Sequence, residues 1–442
     1  MACHQSHNIP WSTLASHFRY SPCIRYYDGR ADLVPKFKES QGKEIHYFLG
    51  ALAKTIAAHA VDELARHPER VEPLQPEATI LSSNVVKRIT PSLLHITKDL
   101  TIHGYSASAP EELGRLHSKL TKTNAYLHAR AHSPWNAWDG PEAFASIEIF
   151  KLLIIYGEMD TLQHICQHPQ AAWTECWDRH RDSFGDQNTC GWAFVPRLAL
   201  KAYLGLNLIL CFPALWDNGS GRSGESDYRR TACYQRTVRD CTKAELSHNI
   251  AALPHRQFFG VPEKQFGWYA ISRQDRKHAY LFDKDVVKGG YPYGVLPYMD
   301  FLGLETEVVH MPSVSDVMHV RWCLCSLALP TELVTEIMDL AGYRPARRLQ
   351  VPHDPLHPAN RKELRRYLNF CFRILVRCDV MSRWLDGEIP WDRLAAEALV
   401  DLLGDGESRH TAKHGRRFFE RTYPVPEREG FTTLDVHDIT FL

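Results

Sequence analysis

The chain has 442 residues, with 52 Lys and Arg against 52 Asp and Glu, so its formal net charge is zero. This balance excludes a global electrostatic attraction to nucleic acid or to an anionic membrane. The 11 Trp, 19 Phe and 18 Tyr are typical of packed interiors and exclude a largely disordered chain.

The N-terminus and the cysteines favour an intracellular protein. The first residues carry no basic segment followed by an apolar run, so we predict no secretory signal. The 12 cysteines are scattered without Cys-x-x-Cys pairs, which favours reduced, buried thiols over a disulfide framework. We therefore expect a protein of the cytoplasm or nucleus that is not secreted, does not bind membranes, and has neither a cofactor nor a metal.

Residues 1–216 are predicted to form an all-helical domain. Apolar side chains recur at helical spacing in four segments, namely Lys43–His67, Ile80–Leu100, Glu111–Ala129 and Pro141–Gly157. The most apolar stretch is Leu198–Trp216. Because Lys201 and Asn207 interrupt it, we interpret its helix, 192–210, as buried in a core and not as a membrane span.

Residues 217–227 are rich in Gly and Ser and predict an exposed loop or linker between domains. Within them, residues 219–224 fit the pattern G-x-G-x-x-G of dinucleotide-binding loops. That motif needs a strand directly before it and a helix directly after it. The surrounding pattern indicates helix, loop and helix, so a flexible loop is favoured over a cofactor site.

Residues 228–314 form a mixed segment. A polar helix is predicted from Tyr228 to about Ala252. Gly and Tyr then increase, and short runs of strand-forming residues predict a small hairpin or sheet around residues 258–310. The predicted fold class is therefore mainly α, with multi-helix bundle-like domains and this small β insertion.

Residues 315–442 are predicted to be a C-terminal helical region. Its strongest helix runs from Arg361 to Leu385, where Asn360 and Glu363 have the spacing of a capping box. A further helix is expected to end at Leu403.

A short helix in this region carries the most specific signal. Leu329, Leu333, Ile337 and Leu340 recur at helical spacing, and Pro330 suits a helix start. The pattern Leu-Pro-x-Glu-Leu-x-x-x-Ile resembles the first helix of an F-box, which docks substrate adaptors onto a ubiquitin-ligase scaffold. The resemblance implies contact residues for a scaffold subunit, namely Leu329, Pro330, Leu333 and Ile337. The alternative is a core helix, and the burial of these side chains distinguishes the two.

The longer stretch Leu329–Asp379 resembles a group of uncharacterised filamentous-fungal proteins, some of them labelled F-box-like. The resemblance rests on the helix above together with three later segments, Asp354–Pro358, Asn360–Leu368 and Leu375–Asp379. It implies a fungal intracellular protein of undefined activity, and it supplies no catalytic residues. With the F-box-like helix, the leading hypothesis is a non-catalytic interaction protein.

Two other functions stay open. The first is a small-molecule enzyme with its pocket in the N-terminal helical domain, near Trp135–Trp138 or Trp173–Trp192, whose catalytic residues the sequence leaves unknown. The second is nucleic-acid binding by residues 344–383, which carry ten Lys or Arg against three Asp or Glu. Zero net charge favours a solvated helix face for these cations, so nucleic acid is not the expected partner.

Two histidine-containing clusters have the residue types of metal or proton-transfer sites. His319 and Cys323 are four residues apart on a predicted helix and could share a metal, but no second pair of ligands follows, so core side chains are favoured. His353 and His357 flank a proline-rich segment. We interpret that segment as a rigid spacer in which Asp354 caps a turn.

Overall fold

In the computed structural model the protein is mainly α-helical, as the sequence predicts. The structure describes residues 9–22, 31–36, 41–73, 80–87, 89, 92, 141–169, 173–174, 176–177, 180–181, 188–189, 191–224, 226–242, 250–260, 312, 314–327, 329–341, 343 and 348–403. No helix within these ranges combines the length and the apolar character that a membrane span requires.

The elements of the described chain are predominantly helices, joined by short 3₁₀ turns. The helices are α1 (Trp11–Ser16), α2 (Gln41–Leu64), α3 (Pro141–Tyr156), α4 (Met159–Cys166), α5 (Phe194–Leu210), α6 (Ala232–Thr242), α7 (Leu253–Phe259), α8 (Val314–Ser326), α9 (Thr331–Leu340), α10 (Arg361–Trp384) and α11 (Trp391–Leu403). Two antiparallel pairs of strands accompany them, β1 (Phe18–Ser21) with β2 (Asp32–Pro35) and β3 (His180–Arg181) with β4 (Asn188–Thr189).

Helix α5 lies at the centre of the core. Pro196 is tolerated in its first turn, and Pro213 follows shortly after its end. Its side chains are apolar on nearly all sides, and almost all of them are buried. Helices α6, α10 and α11 pack around it, and α2 packs in turn against α10 and α11. The predicted buried helix is therefore confirmed.

One half-buried cation joins three of these helices. Lys201 of α5 donates to Asp240 of α6 at 3.0 Å and lies 2.7 Å from the carboxylate of Asp401 of α11. Burial disfavours the charged amine, but the two carboxylates outweigh it and raise the pKa of Lys201. The charge that interrupts the apolar pattern of α5 thus stabilises the packing of its neighbours.

Helices from both sides of the predicted linker contribute to one hydrophobic cluster. Helix α10 packs against α2 and α5, and α11 packs against α2, α5 and α6. The division into separate domains stays a prediction of the sequence. The predicted helix 111–129, the strands expected after Gly260 and the C-terminal tail beyond residue 403 lie outside the described residues.

A buried ion pair holds the second half of the loop 217–227, in which Ser223 and Gly224 are exposed. Its role as a linker between domains stays a prediction. Arg222 donates to Asp354 at 2.8 Å and to Asp227 at 2.7 and 2.9 Å. The hydroxyl of Tyr228 donates to the other carboxylate oxygen of Asp354 at 2.7 Å. Asp354 therefore anchors the loop to the segment before α10. This replaces the turn-capping role predicted for its side chain.

Two local predictions need correction beside this anchor. The polar helix expected from Tyr228 to Ala252 is interrupted, because α6 spans only Ala232–Thr242 and is mostly buried. The capping box of α10 is not formed. The side-chain amide of Asn360 instead donates to the carbonyls of Val351 and Asp354, since the segment before α10 folds back against it.

A buried histidine and tyrosine join α7 to α10. The Nδ1 atom of His255 lies 2.5 Å from the hydroxyl of Tyr367, and the Tyr367 ring stacks on Phe258 at 3.7 Å. Burial, with a smaller contribution from Arg256, lowers the pKa of His255 to about 3. The imidazole is therefore neutral in the folded protein at physiological pH.

We expect Gly205→Ala to lower the free energy of unfolding by about 2 kcal/mol or more. A Cβ at Gly205 would lie 2.2 Å from Thr237 Oγ1, so α5 and α6 would have to separate. Chemical denaturation measures the change. Gly50→Ala on α2 is the matched control, because open space surrounds its added Cβ and stability should rise by about 0.5–1 kcal/mol. Adding Thr237→Ala to Gly205→Ala should restore part of the loss, and equal effects of the two glycine variants would contradict this packing.

We expect Asp354→Ala to cost about 3 kcal/mol, because Arg222 loses one of its two carboxylates and Tyr228 loses its acceptor inside the protein. The anchored loop should also become sensitive to proteolysis. Asp217→Ala is the control, since Asp217 accepts only from Gly219 and Ser220 at the half-buried start of the same loop. A loss of stability no larger than that of the control, measured by urea unfolding, would refute the anchoring role.

We expect stability to fall as the pH drops below about 6.5. The unfolded His255 binds a proton there, whereas the folded one stays neutral down to about pH 3, so protonation favours unfolding. This protonation should lower the free energy of unfolding by about 2 kcal/mol between pH 6.5 and pH 5. His255→Asn keeps a neutral acceptor and should flatten the pH dependence of the free energy of unfolding by this amount, as measured by urea unfolding. Unchanged pH dependence in His255→Asn would show that the pair does not act in this way.

Candidate functional site

Helices α8 and α9 form a helical pair beside the main core. They pack against each other, and no side chain of α8 is buried. Only two side chains of α9 with described burial are buried, Val334 and Met338. The backbone N–H of Tyr343 donates to the carbonyl of Met338 at 2.9 Å, which closes the C-terminus of α9. Helix α9 therefore has an inner face, which is buried, and an outer face, which is exposed.

The outer face of α9 carries the residues predicted to bind a scaffold subunit. Leu333 and Ile337 are 47% and 42% exposed, and Leu340 is 83% exposed. Pro330 is also exposed, and Leu329 is half-buried. Leu333, Ile337 and Leu340 are thus exposed on one side of α9, and the role of the four predicted residues in scaffold contact stays a prediction.

The sequence pattern did not identify the inner face of α9. Val334 and Met338 are four residues apart, as are Leu333 and Ile337, so the helix has two apolar stripes. Periodicity alone does not say which stripe faces inward. The structure buries the Val334 stripe and leaves the Leu333 stripe outside.

Helix α8 also exposes large apolar side chains. Its exposed large side chains are Val314, Met318 and Trp322, and Leu327 follows its end. His319 Nε2 lies 3.6 Å from Cys323 Sγ, and the rings of His319 and Trp322 stack at 6.0 Å. Among the described residues no group of three or more metal-ligand side chains forms, so this contact reads as a surface pair of α8.

The aromatic residues proposed to line an enzyme pocket fill a core instead. Phe150 stacks on Trp173 at 4.0 Å, and Trp177 packs edge-on against Trp192 at 4.4 Å. The indole N–H of Trp192 donates to the carbonyl of Trp173 at 2.8 Å. Trp135–Trp138 lies outside the described residues.

A cleft of about 920 Å³ lies elsewhere, between α1, the C-terminal end of α5 and the start of α10. Its aromatic lining is Trp11, Phe18, Phe212 and Trp216. Its charged lining residues are Lys36, Asp217 and Arg361. Local sequence patterns do not indicate this cleft, because its walls come from three segments that lie more than 130 positions apart along the chain.

The cysteines with resolved pKa shifts do not form an activated nucleophile. Burial raises the pKa of Cys211, which lines the cleft, to about 11. Burial also raises the pKa of buried core thiols, namely Cys166, Cys233, Cys241, Cys371 and Cys378. A thiol that holds its proton is a poor nucleophile, so these side chains act as small hydrophobic groups.

Several cations of the basic region 344–383 have partners within the chain. Arg366 pairs with Glu363, and Arg383 pairs with Asp379. Arg377 donates to the carbonyls of Ile154 and Ile155, at the end of α3. These contacts agree with the reading of the region as a helix with locally paired charges, and nucleic-acid binding stays untested.

Comparisons with known proteins give one family. The model of a fungal family described as "Gramillins biosynthetic cluster protein GRA5" matches residues 12–416. No curated protein and no solved structure matches the chain. The fungal origin implied by the sequence is supported, whereas the family match gives no evidence for an F-box. Since the match spans most of the chain, the protein belongs to the gramillins biosynthetic cluster protein GRA5 family.

Proposed function

We propose that this protein is a non-catalytic interaction component of a fungal biosynthetic cluster and that it binds its partner through the outer face of α9. The family name supports the cluster role. The observation that carries the docking role is the exposure of Leu333, Ile337 and Leu340 on one helix face. Contiguous exposed apolar surface on a folded protein is typical of an interaction site.

The spacing of these side chains fits one mode of recognition. Positions 333, 337 and 340 follow the i, i+4, i+7 pattern of a helix that binds in an apolar groove. Glu332 and Glu336 are exposed beside them, and α9 contains no Lys or Arg. The matching groove is apolar with a basic rim, since like charges around the contact would oppose binding.

The proposed occupant of this face is the linker subunit of a ubiquitin-ligase scaffold. The support is the pattern Leu-Pro-x-Glu-Leu-x-x-x-Ile, whose apolar positions are outward here or, for Leu329, half-buried. Helix α9 pairs with α8, which precedes it, whereas α10 packs into the main core. The docking unit is therefore the pair α8–α9, and Trp322 and Met318 extend its contact area. An intracellular location is part of this proposal.

We expect Leu333→Asp to weaken binding of the purified linker subunit by about thirtyfold or more, which is about 2 kcal/mol. A carboxylate at this position would be desolvated in the apolar groove. Val61→Asp on α2 is the matched control, because Val61 is also an exposed apolar side chain and lies on another helix. Titration calorimetry measures both affinities.

Three outcomes would overturn the proposed partner. The wild-type chain fails to bind the purified linker subunit, or the Leu333→Asp chain binds it as tightly as the wild type does. The third is a concentration-dependent dimer, seen by sedimentation velocity, that Leu333→Asp abolishes. In that case a second copy of the chain covers the face.

A further inference from the structure

We infer that the cleft between α1, α5 and α10 binds a hydrophobic carboxylate, whose apolar body lies on the aromatic wall and whose charged group pairs with Arg361. This inference is independent of the docking role of α9. The cleft volume, about 920 Å³, is near the upper end of the range for small-molecule sites.

The apolar part of the ligand follows from the wall of the cleft. Trp11 and Phe18 come from the N-terminal segment, and Phe212 and Trp216 follow the end of α5. Leu356 and Leu364 complete the wall, as do Leu210 and Ala15. Four aromatic rings and these aliphatic side chains favour an extended hydrocarbon or aromatic body over a sugar or a nucleotide.

The charged part follows from Arg361. Its side chain is exposed in the cleft, and within the described part of the chain it has no hydrogen bond or ion pair. It is the first residue of the 24-residue helix α10, which follows directly on the 3₁₀ turn Pro358–Asn360. A guanidinium that lacks such a partner favours an anionic group, to which it can donate two parallel hydrogen bonds.

The charged lining residues of the cleft are two cations and one carboxylate, so positive charge is in excess. Lys36 donates to the carbonyl of Ser16 at 3.1 Å and adds a second positive charge. Asp217 carries the opposing charge, but its two oxygens already accept from Gly219 and from Ser220. Cys211 keeps its proton, because burial raises its pKa to about 11. With a protonated thiol and an already bonded carboxylate, the cleft has the groups of a binding site and lacks an evident nucleophile.

The direct test is equilibrium dialysis of the full chain with labelled dodecanoate below its micellar concentration. We expect one dodecanoate per chain. Dodecan-1-ol, which has the same body without the charge, should bind about tenfold more weakly, and acetate, which has the charge without the body, should not bind measurably. Arg361→Gln should weaken dodecanoate binding by about tenfold and leave dodecan-1-ol binding unchanged, since the lost contact is a charge-assisted hydrogen bond.

Two further variants locate the site. Lys362→Gln is the matched control, because it removes an exposed positive charge at the next position, outside the cleft, and should not change binding. Ser12→Trp places an indole in the cleft from an exposed position on α1 and should abolish binding of both long-chain probes. The inference is overturned if the wild-type chain binds no dodecanoate, if Arg361→Gln matches Lys362→Gln, or if Ser12→Trp binds like the wild type. The Leu333→Asp chain should bind dodecanoate as tightly as the wild type does. The dialysis result can therefore be interpreted even if the docking proposal fails.

Discussion

The constraint on which the structure depends is that helix α5 has almost no side that can face water. Its side chains are apolar nearly all round, so the chain surrounds it with α6, α10 and α11, and α2 packs against the last two. This brings N-terminal and C-terminal helices into one cluster. Lys201 is compatible with such burial because it is paired with carboxylates of α6 and α11. Gly205 allows α6 to approach closely enough to complete the packing.

The two candidate functional surfaces relate to this core in different ways. The cleft lies at the end of α5 and depends on the core for its walls, and the anchoring of Asp354 by Arg222 and Tyr228 holds the segment that supplies its C-terminal side. The pair α8–α9 lies beside the core and exposes an apolar face that is not used in the packing of the core. A ligand in the cleft would therefore contact elements of the core, whereas a partner of α9 would bind a separate element of the surface.

Sequence patterns predicted the helices well, because amphipathic spacing and proline punctuation are local signals. The bounds of α5, α10 and α11 agree closely with the prediction. The contacts that form the sites are not local. Arg222 and Asp354 are 132 positions apart, and the sequence around either residue does not indicate that the two form an ion pair. The capping box at Asn360 does not form, because the segment before α10 folds back and the carbonyl of Asp354 accepts from the side chain of Asn360. The two apolar stripes of α9 could be assigned to inside and outside only once the packing was known.

The central claim is that the Leu333 face of α9 is open to solvent outside the core. Hydroxyl-radical footprinting of the native chain, read by mass spectrometry at single residues, tests it most directly. We expect Leu333, Trp322 and Met318 to be oxidised at rates typical of exposed side chains, while Val334 and Trp192 stay protected. Protection of Leu333 and Trp322 equal to that of Trp192 would mean that this face is covered by the chain itself, and it would contradict the account.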